Sequence, residues 1–115
     1  MTRDPDCIFC NIVAGETSAE ITADSQRAVA FRDLNPQAPT HILVVPREHH
    51  PNVGELAAGD PEALADVVRL AAQVAEAEEL SAHRLVFNTG AEAGQSVFHC
   101  HAHVLGGRPM NWPPG

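Results

Sequence analysis

Aromatic residues, long apolar runs and basic residues are all scarce in this sequence. Aromatics make up 4% of the 115 residues, and there is no tyrosine. A core built from this chain must therefore consist mainly of Val, Leu, Ile and Ala. No apolar run approaches the roughly 20 residues of a membrane-spanning helix, and the N-terminal "MTRDPDC" lacks the apolar segment of a signal peptide. We therefore expect a cytoplasmic protein that does not enter a membrane.

The scarcity of basic residues limits the partners that the chain can bind. Lys and Arg together number 7 against 15 Asp and Glu, which gives a net charge of -8. An acidic chain repels phosphate polymers, so we expect no nucleic-acid polymer as a partner. A single mononucleotide is small enough to be held by a few local donors. The three cysteines are an odd number, which in a reducing compartment argues against a disulfide framework.

The length suits one domain covering 1–115, without repeats or an interdomain linker. The periodicity predicts helices within 7–16 and 59–80, strands over 27–34, 41–46, 84–88 and 97–107, and loops over 46–56 and 89–96. Asp60 is placed to cap the long helix, and Pro61 fits its first turn. The apolar stripe of that helix is Leu64, Val67, Val68, Ala71, Val74 and Ala75. This order of elements predicts an α+β fold with a largely antiparallel sheet.

The segment "QSVFHCHAHVLGG" (95–107) places three histidines at every second position. On a strand His99, His101 and His103 would face one side, while Phe98, Cys100, Ala102 and Val104 would pack against a helix. The outer two would lie about 13 Å apart, too far to share one metal ion. A row of imidazoles suits an extended ligand such as phosphate groups, and imidazole is a capable nucleophile toward phosphorus. Ordinary hydrogen-bonded histidines and a metal store are the alternative interpretations.

The segment "HCHAHVLGG" also resembles the signature of the histidine triad (HIT) family. The longer segment "GQSVFHCHAHVLGGR" around this signature resembles the histidine triad nucleotide-binding (HINT) branch of the family. Four other segments resemble the same branch: "CIFCNIVAGE", "AFRDLNPQAPTHILVVPREH", "RLVFN" and "NWPPG". The resemblance covers nearly the whole chain. It implies an α+β, HIT-like fold with about five antiparallel strands, one long and one short helix, and a homodimer. The C-terminal tail, 108–115, would reach the dimer partner.

The resemblance implies an activity and a set of site residues. The activity is hydrolysis of purine nucleoside phosphoramidates through a covalent nucleotidyl-histidine, with no metal needed for the chemistry. The implied catalytic residues are His101 as nucleophile, with His103, Ser96 and His41. The implied substrate-binding residues are Asp33 for the ribose, Asn88 and Gln95 near the phosphate, Trp112 in the tail, and Phe9, Ile12, Phe31 and Leu34 around the base. Judged by sequence alone, those last four favour a plain core, and only the resemblance indicates a role in the site.

Cys7 and Cys10 form a CxxC pair, which in a chain without disulfides often binds zinc. Two more ligands are required. The resemblance implies His49 and His99, because bacterial members with the CxxC pair bind zinc through the corresponding residues. His50 adjoins His49 and could replace it, and free thiols are the alternative. Zinc here would be structural, tying the N-terminal helix to the sheet.

Three functions therefore compete. The ending "NWPPG" favours the phosphoramidase over a dinucleoside polyphosphate hydrolase of a related branch. A nucleotide-sensing or scaffolding dimer, in which turnover is incidental, is the third. Replacing His101 with Ala separates an enzyme from a binding protein, because only the enzyme needs a nucleophile.

Overall fold

The computed structural model describes residues 3–115. Its helices are α1 (Ile8–Val13), α2 (Val53–Gly59) and α3 (Pro61–Ala77), and a short 3-10 turn covers Ala91–Ala93. Its strands are β1 (Ile21–Asp24), β2 (Ala28–Arg32), β3 (Thr40–Pro46), β4 (His83–Phe87) and β5 (Ala102–Gly106). They form one antiparallel sheet in the order β1-β2-β3-β5-β4. The predicted α+β class and five-stranded antiparallel sheet are therefore confirmed.

Within the part of the chain that the structure covers, no helix combines the length and the apolarity that crossing a membrane requires.

Helix α3 packs on one face of the sheet. Its N-terminus is as predicted: the Asp60 carboxylate accepts a hydrogen bond of 3.1 Å from Ala63 N, and Pro61 begins the helix. The predicted stripe is partly wrong, because Val68 is 42% exposed while Leu70 is buried. The side chains that face the sheet follow the spacing i, i+4, i+7, i+8 from Ala63, which puts Val68 on the edge of the helix.

Helix α1 packs on the opposite face of the sheet. On β2, Ala28 and Ala30 belong to the α3 side, whereas Val29 and Phe31 belong to the α1 side. This alternation follows from the two-residue period of a strand. The core on the α1 side consists of Cys7, Phe9, Cys10, Ile12, Val29, Phe31, Leu43 and Val45. The domain thus has two apolar layers, and the sheet separates them.

Helix α2 lies in a segment for which the sequence predicts a loop. It begins where the Asn52 side chain accepts a hydrogen bond of 2.9 Å from Glu55 N. Leu56 is its only buried residue. A helix of seven residues that buries a single side chain carries no apolar periodicity, which explains why the pattern missed it.

The last strand is shorter than predicted, since β5 begins at Ala102 rather than at 97. Ala102 pairs with Val44 on one side and with Phe87 on the other, and the ladder ends there. The segment 97–101 makes its bonds elsewhere: Cys100 N donates to the His50 carbonyl over 2.6 Å. His99 and His101 therefore precede the strand, and the prediction of three histidines along one flat strand is wrong. Phe98, predicted to pack against a helix, also precedes the strand and is 51% exposed.

Candidate active site

An apolar cavity of about 290 Å³ opens beside α1 and the start of β5. Eight of the residues that the resemblance implied line this cavity: Phe9, Ile12, Phe31, Asp33, Leu34, Ser96, His101 and His103. They come from α1, β2 and its following turn, the loop before β5, and β5 itself. Two imidazoles and a carboxylate thus border a largely apolar space. Leu34 only rims it, because its side chain is 93% exposed.

His101 is held in one tautomer by a main-chain bond. Its Nδ1 lies 2.8 Å from the His99 carbonyl oxygen. A carbonyl only accepts, so Nδ1 carries the proton and the Nε2 lone pair is left free. Burial lowers the pKa of His101 below its usual value near 6.5, which favours the neutral ring. The Phe9 ring meets it edge-on, with centroids 5.0 Å apart.

His41 and His103 form a hydrogen-bonded chain whose direction is set at one end. Gln37 N donates to His41 Nδ1 over 3.0 Å, so a neutral His41 carries its proton on Nε2. That Nε2 donates to His103 Nδ1 over 2.9 Å. His103 is then left with an Nε2–H for a further acceptor. Burial lowers the pKa of His41, and burial lowers that of His103 to about 4, so the chain is neutral at pH 7.

Asp33 joins this chain from the side. Its Oδ2 lies 3.4 Å from His41 Nε2, and its Oδ1 accepts a bond of 2.8 Å from Asn35 N. The carboxylate raises the pKa of His41 and His103, but burial outweighs it in both cases. Asp33 retains acceptor capacity toward the cavity, since a carboxylate offers about four lone pairs.

The loop before β5 places Ser96 at the cavity but turns Gln95 away from it. The Gln95 side chain accepts from Gly90 N over 2.9 Å and donates to the carbonyls of Pro51 (2.7 Å) and Val97 (3.1 Å). It is 3% exposed and its amide is fully engaged, so within this chain it shapes the loop. Gly94 also lines the cavity with φ +95°, a conformation that favours glycine.

A second cavity of about 550 Å³ shares His103 with the first. Asn88 and His41 line it, together with Arg84, Arg108 and the end of the tail. The Asn88 amide donates to the Ala93 carbonyl over 2.9 Å. Trp112 lines neither cavity and is 82% exposed, so one chain alone does not bring it to the site.

The CxxC pair lies close to two histidines, His49 and His99, next to the His101 site. The ligand atoms of Cys7, Cys10, His49 and His99 all lie within 4.8 Å of one another. Cys7 Sγ and Cys10 Sγ lie 3.4 and 3.5 Å from His99 Nδ1, and Cys10 Sγ lies 3.4 Å from His49 Nδ1. A tetrahedral zinc shell, with bonds of about 2.3 Å to sulfur and about 2.0 Å to nitrogen, puts neighbouring S and N atoms about 3.5 Å apart. This cluster could therefore hold a metal ion.

The orientation of His99 also suits a ligand. Its Nε2 donates to the Pro46 carbonyl over 2.9 Å, which leaves the Nδ1 lone pair directed at the two thiols. His50, the alternative to His49, is not part of this cluster and belongs to a separate group with Glu48 and Asp60. His49, and not His50, therefore lies with the two cysteines and His99.

Main-chain groups at the site, among them the His99 carbonyl described above, carry no signal in the amino-acid sequence. The Gln37 amide fixes the tautomer of His41, and the Pro46 carbonyl fixes that of His99. Every residue has such groups, so only their position in the fold gives them a role. The nearest sequence signal is the proline-rich turn "NPQAPT", which bends the chain back onto His41.

The fold and the site together define a class: α+β domains that present a cluster of histidines at a cavity beside the last strand. The HIT domain model matches residues 14–110, and the chain belongs to this family.

Several relatives match over nearly their whole length. An uncharacterised HIT-like protein of Synechocystis is 44% identical over 96% of this chain and 97% of its own. A purine nucleoside phosphoramidase of Escherichia coli is 40% identical over 91% of this chain and 90% of its own. The crystal structure of a HIT family hydrolase from Legionella pneumophila is 45% identical with a TM-score of 0.90, covering 96% of this chain and all of that one. These relatives fit the HINT-like branch.

Proposed function

We propose that the chain hydrolyses purine nucleoside phosphoramidates, with His101 as the nucleophile. The observation that carries this proposal is the unprotonated Nε2 of His101 at an apolar cavity that also contains Asp33. The relative from Escherichia coli that is named for this activity supports the phosphorus–nitrogen bond as the target.

The cavity suits a nucleoside with its phosphate at one end. Phe9, Ile12 and Phe31 offer an apolar wall to a purine base. Asp33 accepts hydrogen bonds from the ribose hydroxyls. The α-phosphate then lies against His101 and His103, where the Nε2–H of His103 donates to a non-bridging oxygen.

The reaction proceeds in two displacements. His101 Nε2 attacks the α-phosphorus and forms an N–P bond, while the phosphorus–nitrogen bond of the substrate breaks. The departing nitrogen keeps the electron pair and takes a proton from the hydroxyl of Ser96, which lines the cavity. Water then attacks phosphorus, His101 leaves as neutral imidazole, and one proton of the water returns to the Ser96 oxygen. The nucleoside monophosphate dianion and the second proton are released. The His99 carbonyl stabilises the imidazolium-like ring of the intermediate through its Nδ1–H.

We also propose that Cys7, Cys10, His49 and His99 hold Zn²⁺. Zinc would supply a closed structural link between α1 and the segment before β5, and the reaction itself does not use it. The ligand types and the S–N separations support this assignment.

A cytoplasmic homodimer completes the proposal. Three large apolar side chains, Leu34, Phe98 and Trp112, are more than half exposed in one chain, and a partner would cover them. Three buried thiols, Cys7, Cys10 and Cys100, are compatible with a reducing compartment.

Brief mixing with an adenosine phosphoramidate, followed by a quench without acid, tests the reaction by mass spectrometry. We expect a mass gain of one adenylyl group on the peptide that contains His101. His101→Ala should lack the adduct and lose turnover by at least about 10⁴-fold, as enzymes do without their nucleophile. His83→Ala, an exposed histidine on β4, is the control.

Two results would contradict the proposal. If adenosine monophosphate binds but no adduct forms, the chain is a nucleotide-binding protein. If diadenosine polyphosphates turn over and phosphoramidates do not, the bond that is cleaved is the phosphoanhydride.

A further inference from the structure

We infer that the metal cluster positions the nucleophile, with His99 as the positioning residue that joins the two sites. The consequence for turnover rests on the proposed function. The structural consequence does not, because the tautomer of His101 and the packing of Phe9 can be measured without substrate.

His99 uses three polar atoms, and each serves a different part of the molecule. Its Nδ1 faces the two cysteine thiols, its Nε2 donates to the Pro46 carbonyl, and its main-chain oxygen accepts from His101 Nδ1. The ring is fully buried. Fixing this side chain at the cluster therefore fixes the carbonyl that keeps the proton on Nδ1 of His101 and leaves Nε2 free.

A second connection runs through α1. Phe9 lies between Cys7 and Cys10 in sequence, and its ring contacts both His101 and Phe31 edge-on, at centroid distances of 5.0 and 5.5 Å. Helix α1 has only six residues, too few to be stable without an anchor. A metal ion bound to the two cysteines would hold this helix against the sheet, and with it the Phe9 wall of the cavity.

The other apolar layer does not depend on this cluster. Helix α3 packs on the opposite face of the sheet, against residues that include Ile42, Val44 and Val104. Losing the metal should therefore loosen α1 and 97–101 while the sheet and α3 remain folded. This separation allows a local effect to be distinguished from unfolding.

The first experiment is ¹⁵N NMR of the histidine rings at pH 8, in protein loaded with Zn²⁺ and in protein stripped by a chelator. We expect a single Nδ1–H tautomer of His101 in the loaded protein and a tautomer mixture in the stripped protein. Hydrogen exchange of the amides in α1 should accelerate by at least about tenfold, while exchange in α3 stays unchanged. The affinity for adenosine monophosphate should fall about tenfold, since the Phe9 wall is lost.

The matched variants are the double variant Cys7→Ser, Cys10→Ser and the control Cys100→Ala. Cys100 is also buried, but it belongs to the α3 layer, so its variant should keep Zn²⁺ and the Nδ1–H tautomer. If the double variant does not fold, the chelator titration of the unaltered protein provides the same comparison.

Two results would overturn the inference. One is a chain that binds no Zn²⁺ at micromolar concentration. The other is stripped protein that keeps the single tautomer and its affinity for adenosine monophosphate. If the tautomer changes but the loaded protein never turns over a phosphoramidate, the positioning role stands and the proposed reaction fails.

Discussion

The chemistry of the site depends on which nitrogen of each imidazole carries the proton. Three of the four central histidines are fixed by carbonyl or amide groups of the main chain: His41 by Gln37, His99 by Pro46 and His101 by His99. His103 is fixed in turn by His41. Each ring thus has a defined donor and a defined lone pair, which a solvent-exposed histidine would not have.

The pH dependence of turnover follows from these rings at the residue scale. In the proposed reaction His101 attacks only when neutral, and burial lowers its pKa below 6.5. His103 and His41 also have lowered pKa values, with that of His103 at about 4. The neutral forms therefore persist below pH 6.5, and the acid limb of the kcat/KM profile should lie below that pH.

This prediction is checked by a kcat/KM profile from pH 4 to 8 on an adenosine phosphoramidate. His41→Gln removes one member of the chain and should move the acid limb. A decline that is already half complete at pH 6.5 or above would mean that the nucleophile titrates like an exposed histidine.

At the scale of elements, the end of β5 determines where the histidines lie. Gly107 follows the strand with φ +89°, and a Cβ there would lie 2.9 Å from the Pro39 side chain, in the turn before β3. That close approach lets β3 and β5 stay in register, so that His41 faces Leu105 across the ladder and reaches His103.

Gly107→Ala should destabilise the fold by about 2–3 kcal/mol, because the alanine would meet both an unfavourable φ and Pro39. Gly15→Ala is the matched control, since Gly15 also has positive φ (+78°) but a Cβ there meets nothing within 4 Å. It should cost about 1 kcal/mol. Urea unfolding of the two variants gives the difference, and equal losses would show that the contact with Pro39 can relax.

At the scale of the whole molecule, the exposed tail and the exposed apolar side chains are the surface that the proposed dimer would cover. Trp112, the only tryptophan of the sequence, is 82% exposed, and Phe98 is 51% exposed. Strand β4 lies at the edge of the sheet, so its outer side is open to a second copy.

Sedimentation should give twice the 12.3 kDa mass of one chain. Because Trp112 is the only tryptophan, its fluorescence reports on the tail alone. We expect blue-shifted emission that moves to the red upon dissociation by dilution. A monomer with solvent-like emission at micromolar concentration would refute the dimer.

The sequence by itself determined the fold class and most of the strands and the long helix. Asp60 and Pro61 mark the start of α3, and alternation places Val29 and Phe31 opposite Ala28 and Ala30. These features could be predicted because they depend on periods of 2 and 3.6 residues and on local caps. The residues of the apolar cavity came from the family resemblance, since an apolar side chain that lines a cavity looks in sequence like any core residue.

Only the tertiary structure decided how the histidines divide between two sites. The two-residue period of the sequence predicts one strand that carries His99, His101 and His103. In the structure the hydrogen-bond ladder of β5 ends at Ala102. His99 therefore turns toward Cys7 and Cys10, while His101 stays at the cavity. The tertiary structure also places His49, rather than His50, beside the two cysteines, and it gives roles to the Gln37 amide and the Pro46 carbonyl. These outcomes depend on contacts between residues tens of positions apart, made through main-chain groups that every residue possesses, and no local pattern encodes them.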